Sequence, residues 1–347
     1  MAMDPLPDSQ TSQYNQLLEK SLKTGCAVCG KQSGLSRCSA CRLMEYCCRD
    51  HQVSHRPQHE SVCKSIKKRK ADLESRKLHL SKVGPDTTGV MAHKAYSDAR
   101  HAYVKEVLRL GTQRAVETAV KDIVDMLGYN DAYAEIVTVY SLPALCIRLG
   151  QDQEAYALLK RLGMCKPWAP AGLCNDCQSA LPNGQASALN LLDPVDSFII
   201  RCHYSIDVLV PLMLLKIRLL LDMLFLRRTE NDFGHLVPQE ILDHIQSYTF
   251  SDPGSRQAIM ERKDYDRPIQ VLKAQIKVLF DSVRDKDKDI WEHLSLPEDH
   301  ANSWSNRYGE QTLRRFGVNR PAWVETPGAI GVIEELQHRV KVEEELD

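Results

Sequence analysis

The chain has 347 residues, so at about 150 residues per domain it holds two domains or three small ones. Lys and Arg number 45 against 46 Asp and Glu, a formal charge of −1, which excludes a protein that is basic throughout and coats nucleic acid electrostatically. Hydrophobic residues at 43% and charged residues at 26% exclude wholesale disorder and are enough for a buried core.

In chain order, residues 1–25 read as a tail, with a short helix around Tyr14–Lys23. Met1–Gln16 is polar, holds two prolines and has no apolar stretch of the secretory kind. The expected setting is therefore intracellular and reducing, nucleus or cytoplasm, where clustered cysteines serve metals rather than disulfides. Seven of the 12 cysteines fall between Cys26 and Cys63, interleaved with His51, His55 and His59. Residues 64–94 read as a basic helix, Lys64–Leu80, followed by a linker at Val83–Thr88 where Gly-Pro-Asp signals a turn.

Residues 95–295 read as a helical domain. Apolar residues recur at helical spacing over Ala95–Leu110, Thr112–Leu127, Ala132–Leu149 and Gln153–Leu162. Gly111, Gly128, Gly150 and Gly163 follow as expected left-handed caps. Arg-Leu-Gly recurs at 109–111, 148–150 and 161–163, which suggests stacked helix pairs of an α-solenoid or TPR-like kind; an irregular bundle explains it as well. Residues 164–196 read as loop. The apolar run Ser197–Leu226 carries Arg201, Asp207, Lys216, Arg218 and Asp222, and each mid-span charge costs about 2.5–3.5 kcal/mol in a bilayer. It reads as a buried core helix, kinked or split at Pro211, and no membrane association is expected. Helices are expected again at Pro238–Tyr248, Pro268–Asp285 and Lys286–His293. Residues 296–347 are mixed and end acidic, with a terminal helix at Val332–Leu346. The fold class is mainly α.

The block from 26 to 63 carries the chemistry. Its ligand-capable residues form four pairs: Cys26-x2-Cys29, Cys38-x2-Cys41, Cys47-x3-His51 and His59-x3-Cys63. Two thiolates two residues apart chelate one tetrahedral zinc around a tight turn, and residues four apart share a helix face. Eight ligands make two closed sites.

This pattern resembles the MYND zinc finger, including the Tyr46-Cys47 pair and every spacing. The resemblance implies two interleaved zinc ions. Cys26, Cys29, Cys47 and His51 would hold one, and Cys38, Cys41, His59 and Cys63 the other. Two positions depart from the family. His51 stands where a cysteine is usual, leaving three thiolates in the first site. Arg56 stands where a tryptophan is common, so the supporting or partner surface differs.

Other readings of the same residues fit less well. Cys38-x2-Cys41-x13-His55-x3-His59 approaches a DNA-reading C2H2 finger, but it strands four cysteines. A RING-type finger needs a Cys-x2-Cys pair late in the block. His59-Glu60-x2-Cys63 superficially resembles a metalloprotease motif, yet a catalytic zinc keeps an open position, and here eight ligands fill both sites. Glu60 then reads as a solvated helix residue, and Cys48 and His55 as spectators with Cys48 a fallback ligand.

Weaker signals remain. Lys64, Lys67, Lys68, Arg69 and Lys70 fit an import signal or phosphate-facing patch as well as a solvated helix. Cys165, Cys174, Cys177 and Cys202 with His203 would supply a third metal site only by reaching across distant segments. Cys146 reads as core, and the four tryptophans as packing anchors.

The MYND resemblance implies binding of short proline-containing peptides and recruitment of proteins into transcriptional or signalling complexes. The expectation is a non-enzymatic zinc-dependent adaptor. A DNA-associated factor rests on the basic stretch alone. A MYND-linked SET-type lysine methyltransferase is disfavoured: 25 residues precede Cys26, and no Asn-His pair or Gly-x-Gly loop for its cofactor occurs.

Overall fold

A computed structural model describes residues 22–83, 87–128, 141–164, 192–201, 206–246, 249, 264–295, 317 and 319–346. The described residues form two compact units, one built from Leu22–Leu145 and the other from Cys146 onward. The chain is mainly helical, and no described helix is long and apolar enough to cross a membrane.

The first unit opens with a small antiparallel hairpin, β1 (Ser36–Arg37) and β2 (Glu45–Tyr46), paired Ser36 to Tyr46 and Arg37 to Glu45. Helices α1 (Arg49–Ser54) and α2 (Arg56–Leu80) follow, then α3 (Thr87–Leu108) and α4 (Gln113–Gly128). Helix α2 begins within the Cys/His block, with Pro57 in its first turn, where a missing N–H costs nothing. Most of its 25 residues face solvent; only His59, Cys63 and Ile66 are buried. The α2 helix packs on α3, and α3 on α4.

The turn between α3 and α4 depends on Gly111, whose φ of 59° lies in the left-handed region that a side chain disfavours. This turn holds the extended segment that leads into the finger. Lys23 N–H donates to Gly111 O (3.2 Å) and Gln113 N–H donates to Lys23 O (2.9 Å). Arg114 of α4 reaches Glu45 of β2 at 2.8 Å. Leu43, Met44, Tyr46 and Ile66 share one apolar core with Tyr103, Val107 and Ala115. The finger thus sits on a helical platform.

The second unit is organised around α8 (Ile206–Phe233), the apolar run of the sequence. Every residue from Asp207 to Leu220 is buried, which is why its hydrophobic residues show no single face. The run continues as one helix through Pro211 instead of splitting there. A proline near the start of a helix forfeits one intrahelical bond, here to the Asp207 carbonyl. Around α8 pack α6 (Asp152–Met164), α9 (Gln239–Gln246), α10 (Asp266–Arg284) and α12 (Ala329–Leu346). Helix α7 (Asp196–Arg201) lies on α6, and α11 (Ile290–Ser295) on α10 and α12. One further helix, α5 (Leu142–Arg148), precedes α6.

Trp291 stacks on Phe280 with centroids 5.4 Å apart, meets Trp323 edge-on at 5.9 Å, and donates its indole N–H to the Phe280 carbonyl. Trp168 and Trp304 lie outside the described residues. Helix α11 starts later than the sequence pattern suggests, because the Asp287 carboxylate accepts from Asp289 N–H and holds a turn before it. Gly150 adopts the expected left-handed conformation, but Gly163 is helical within α6 and Gly128 is the last residue of α4.

The buried charges of this unit are anchored. Arg218 donates to Asp152 (3.1 Å) and to the Thr326 hydroxyl (3.2 Å), tying α8 to α6 and to the segment before α12. Arg148 grips Glu325 through two bonds of 2.8 and 2.7 Å. Burial lowers the Lys216 ammonium to about 8, and the Asp193 carbonyl accepts from it at 2.9 Å. Arg218→Ala takes away the guanidinium that a buried carboxylate faces, and should cost about 3–5 kcal/mol. Denaturant unfolding should show that loss, whereas a change under 1 kcal/mol, the roughly surface-pair scale, would mean the pair is not structural.

Candidate metal centre

Two knuckle turns present the first four cysteines. In the first, Gly30 N–H donates to Cys26 O (2.8 Å) and Cys26 N–H to Lys31 O (2.9 Å). Gly25 before it has φ of 72°, and a Cβ there would stand 2.6 Å from Lys31 O, so only glycine fits. In the second, Arg42 N–H donates to Cys38 O and Cys38 N–H to Met44 O, both at 2.9 Å. Arg42 itself has φ of 60°, the strained residue that closes this knuckle. Ala27 N–H donates to Glu45 O at 2.9 Å and brings the first knuckle beside β2. Cys47 and His51 flank the start of α1, and His59 and Cys63 lie one turn apart on α2.

The eight predicted ligands fall into two groups: Cys26, Cys29, Cys47 and His51, and Cys38, Cys41, His59 and Cys63. Within each group the ligand atoms all lie within 4.8 Å of one another. The pairing is interleaved, first with third and second with fourth.

The spacing between ligand atoms tests the fit to zinc. A tetrahedron with Zn–S near 2.3 Å and Zn–N near 2.0 Å has S···S edges of about 3.8 Å and S···N edges of about 3.5 Å. The Cys38–Cys63 and Cys29–Cys47 sulfurs are 3.8 and 3.5 Å apart. Cys26 Sγ to His51 Nδ1 is 3.5 Å, Cys47 Sγ to the same nitrogen 3.2 Å, and Cys41 Sγ to His59 Nε2 3.5 Å. These sulfur separations far exceed a disulfide bond of about 2.05 Å. Two zinc ions fit, one per group. His51 offers Nδ1 and His59 offers Nε2, so the free ring nitrogen points differently in each.

The two sites differ in environment. All four ligands of the second group are buried, whereas Cys29 is exposed and Cys47 and His51 are half-buried in the first. Burial raises the Cys26 thiol, but N–H groups of Cys29, Val28 and Cys47 outweigh it and bring the thiol down to about 6. Burial likewise opposes Cys38, whose pKa is nevertheless lowered by Cys41 and Ala40 N–H groups. Burial together with the nearby cysteine sulfurs pushes Cys47 and Cys63 up to about 12. Each site therefore pairs a thiol made more acidic by its N–H donors with one held high by burial and neighbouring sulfurs, which gives up its proton on metal binding.

His55 and Cys48 belong to neither group. Cys48 is exposed just before α1. His55 is more than a bystander: its Nδ1 shares a 3.1 Å hydrogen bond with the buried Tyr46 hydroxyl, and its ring stacks 6.0 Å from His59. Burial lowers its pKa, and the nearby Lys23 adds to the effect. It buttresses the second site, a role that ligand spacing alone does not reveal. Glu60 pairs with Lys64 at 2.6 Å on the open face of α2. The basic residues Lys67, Lys68, Arg69 and Lys70 are exposed beyond it, and Arg56 is exposed in its first turn. Cys146 is buried in the second unit, where burial pushes its thiol up to about 12, the state of an inert core residue. Cys165, Cys174, Cys177, Cys202 and His203, considered for a third metal, lie outside the described residues.

Comparison with known proteins agrees with this geometry. Residues 26–63 match the MYND finger family. A 59-residue stretch is 37% identical to Egl nine homolog 1 of Homo sapiens, over the finger alone. It covers 17% of this chain and 11% of that protein, so the chain matches only about a tenth of the relative's length. No solved structure matches the chain. Residues 26–63 are a MYND finger with two zinc sites.

Two outcomes follow. Zinc binding displaces protons from the high-pKa thiols, so lower pH favours the metal-free form and apparent affinity rises between roughly pH 6 and 8. Calorimetry in two buffers of different ionisation enthalpy should show proton release; heats identical in both would contradict it. His51→Ala should lose zinc to a chelator more readily than the unaltered chain, and two zincs held as tightly as in the unaltered chain would remove His51 from the first site.

Proposed function

We propose that the protein is a non-enzymatic, zinc-dependent adaptor that binds short proline-containing peptide segments through its finger and acts in transcriptional or signalling complexes of the nucleus or cytoplasm. The observation that carries this reading is coordinative saturation. Each group supplies four protein ligands, so no position is left for a substrate or an activated water. A metal in such a site rigidifies the chain, and a rigid surface loses little entropy on binding. Proline in the partner reduces its own ordering cost in the same way.

The mounting of the finger supports the same reading. The hairpin and the zinc-bearing turns of α2 share a core with α3 and α4, so the finger's outer face is presented from a platform. MYND fingers are protein-interaction modules, and the helical remainder extends the surface available to partners. The basic stretch of α2 carries Asp72 and Glu74 among its lysines and arginines, and favours a solvated helix over a base-reading element.

The test is fluorescence anisotropy of labelled proline-rich peptides with the full chain before and after chelation. Binding that disappears with zinc and returns on its restoration is the expected result. Binding that survives complete zinc removal would place recognition outside the finger and contradict the proposal.

A further inference from the structure

A cleft of about 350 Å³ lies within the first unit, where the finger meets the turn between α3 and α4. That volume falls in the range of ligand clefts. Leu35, Leu43 and Met44 from the finger and Leu110 from the turn form its apolar wall. The finger alone does not make it: Lys23, Arg109 and Gln113 complete the rim.

Two features give the cleft a chemical preference. The first is His59, which lines it and is only 7% exposed. Its Nε2 faces the second zinc site, 3.5 Å from Cys41 Sγ, so zinc coordination leaves the proton on Nδ1. That Nδ1 is buried and has no hydrogen-bond partner in the protein. Metal-bound histidines almost always donate this second N–H to a carboxylate, a carbonyl or a water. A buried donor without an acceptor is costly, and an oxygen that enters from the cleft and displaces the wall over His59 would satisfy it.

The second feature is Lys23 at the rim. The other charged groups there are engaged: Arg109 with Glu106 at 2.8 Å, Arg114 with Glu45 at 2.8 Å, and Glu117 accepting from Gln113 at 2.8 Å. Lys23 has no ion pair among the described residues, although its backbone is pinned by the α3–α4 turn. The cleft therefore offers a lysine without an ion pair and one buried N–H donor beside an apolar wall, with the Glu117 carboxylate, held among the described residues only by the Gln113 amide, as the opposing charge on its rim.

We propose that this composite cleft takes the carboxylate of an Asp or Glu side chain from an extended partner peptide, with Lys23 pairing the charge and His59 Nδ1–H donating to an oxygen. The proposal rests on the adaptor reading and adds an acidic requirement to it. Residues flanking the carboxylate lie along Leu35, Leu43 and Leu110. The α3–α4 turn thereby becomes part of the specificity of the finger.

Random nonapeptides displayed on phage, selected on the full zinc-loaded chain and in parallel on its Lys23→Glu variant, test this. Zinc content of two per chain confirms that the variant is folded. The expected peptides carry Asp or Glu at one fixed position, and bind about tenfold more weakly when it becomes Asn or Gln. The variant should lose that acidic selection. With histidine-nitrogen labelling, a bound peptide should slow solvent exchange of the His59 Nδ1 proton. Peptides without an acidic position, acidic selection indifferent to Lys23→Glu, or an unchanged His59 signal would overturn the cleft assignment and leave the adaptor role standing. Recovery of no peptide at all would overturn both.

Discussion

Each zinc site closes only when two segments separated by a segment of the other site come together. Cys26 and Cys29 need Cys47 and His51, while Cys38 and Cys41 between them need His59 and Cys63. Neither metal can bind fully until both knuckles, the hairpin and the first turns of α1 and α2 are in register. This coupling replaces the large apolar core that so short a segment cannot build. The strain of Arg42 at φ of 60° is a local cost that the metal sites offset.

The finger also borrows apolar support. Ile66 on α2 lies two turns beyond His59 and is buried with Tyr103, Val107 and Ala115 from α3 and α4. The same helix thus bears zinc ligands at one end and core contacts further along. The Lys23 bridge to the α3–α4 turn and the Arg114–Glu45 pair add polar links between finger and platform. A partner engaging the finger therefore meets a surface already fixed in place, and the cleft at this junction exists only because the two parts are joined.

What the sequence made legible follows from the range of each interaction. Cys-x2-Cys and x3 spacings are local, and the chemistry of zinc converts them directly into ligand sets. The apolar run around Lys216 and Arg218 was legible as core because five charges within it oppose a membrane. The continuity of α8 through Pro211 was not, since it depends on how near the proline stands to the helix start. Gly150 caps a helix as its position suggested, whereas Gly163 is absorbed into α6. The roles of His55 and of His59 Nδ1 depend on which rings meet across the finger, and the seating of Ile66 against Val107 joins residues about 40 apart in sequence, contacts that no local spacing encodes.

Two zinc ions are held interdependently in the finger. Native mass spectrometry of the full chain, purified without added zinc and followed through stepwise chelation with hydrogen exchange, tests this most directly. The prediction is two zincs per chain, with exchange protection across residues 26–63 lost once either is removed. A single zinc, or loss of one metal that leaves protection across the whole finger intact, would contradict the interleaved finger.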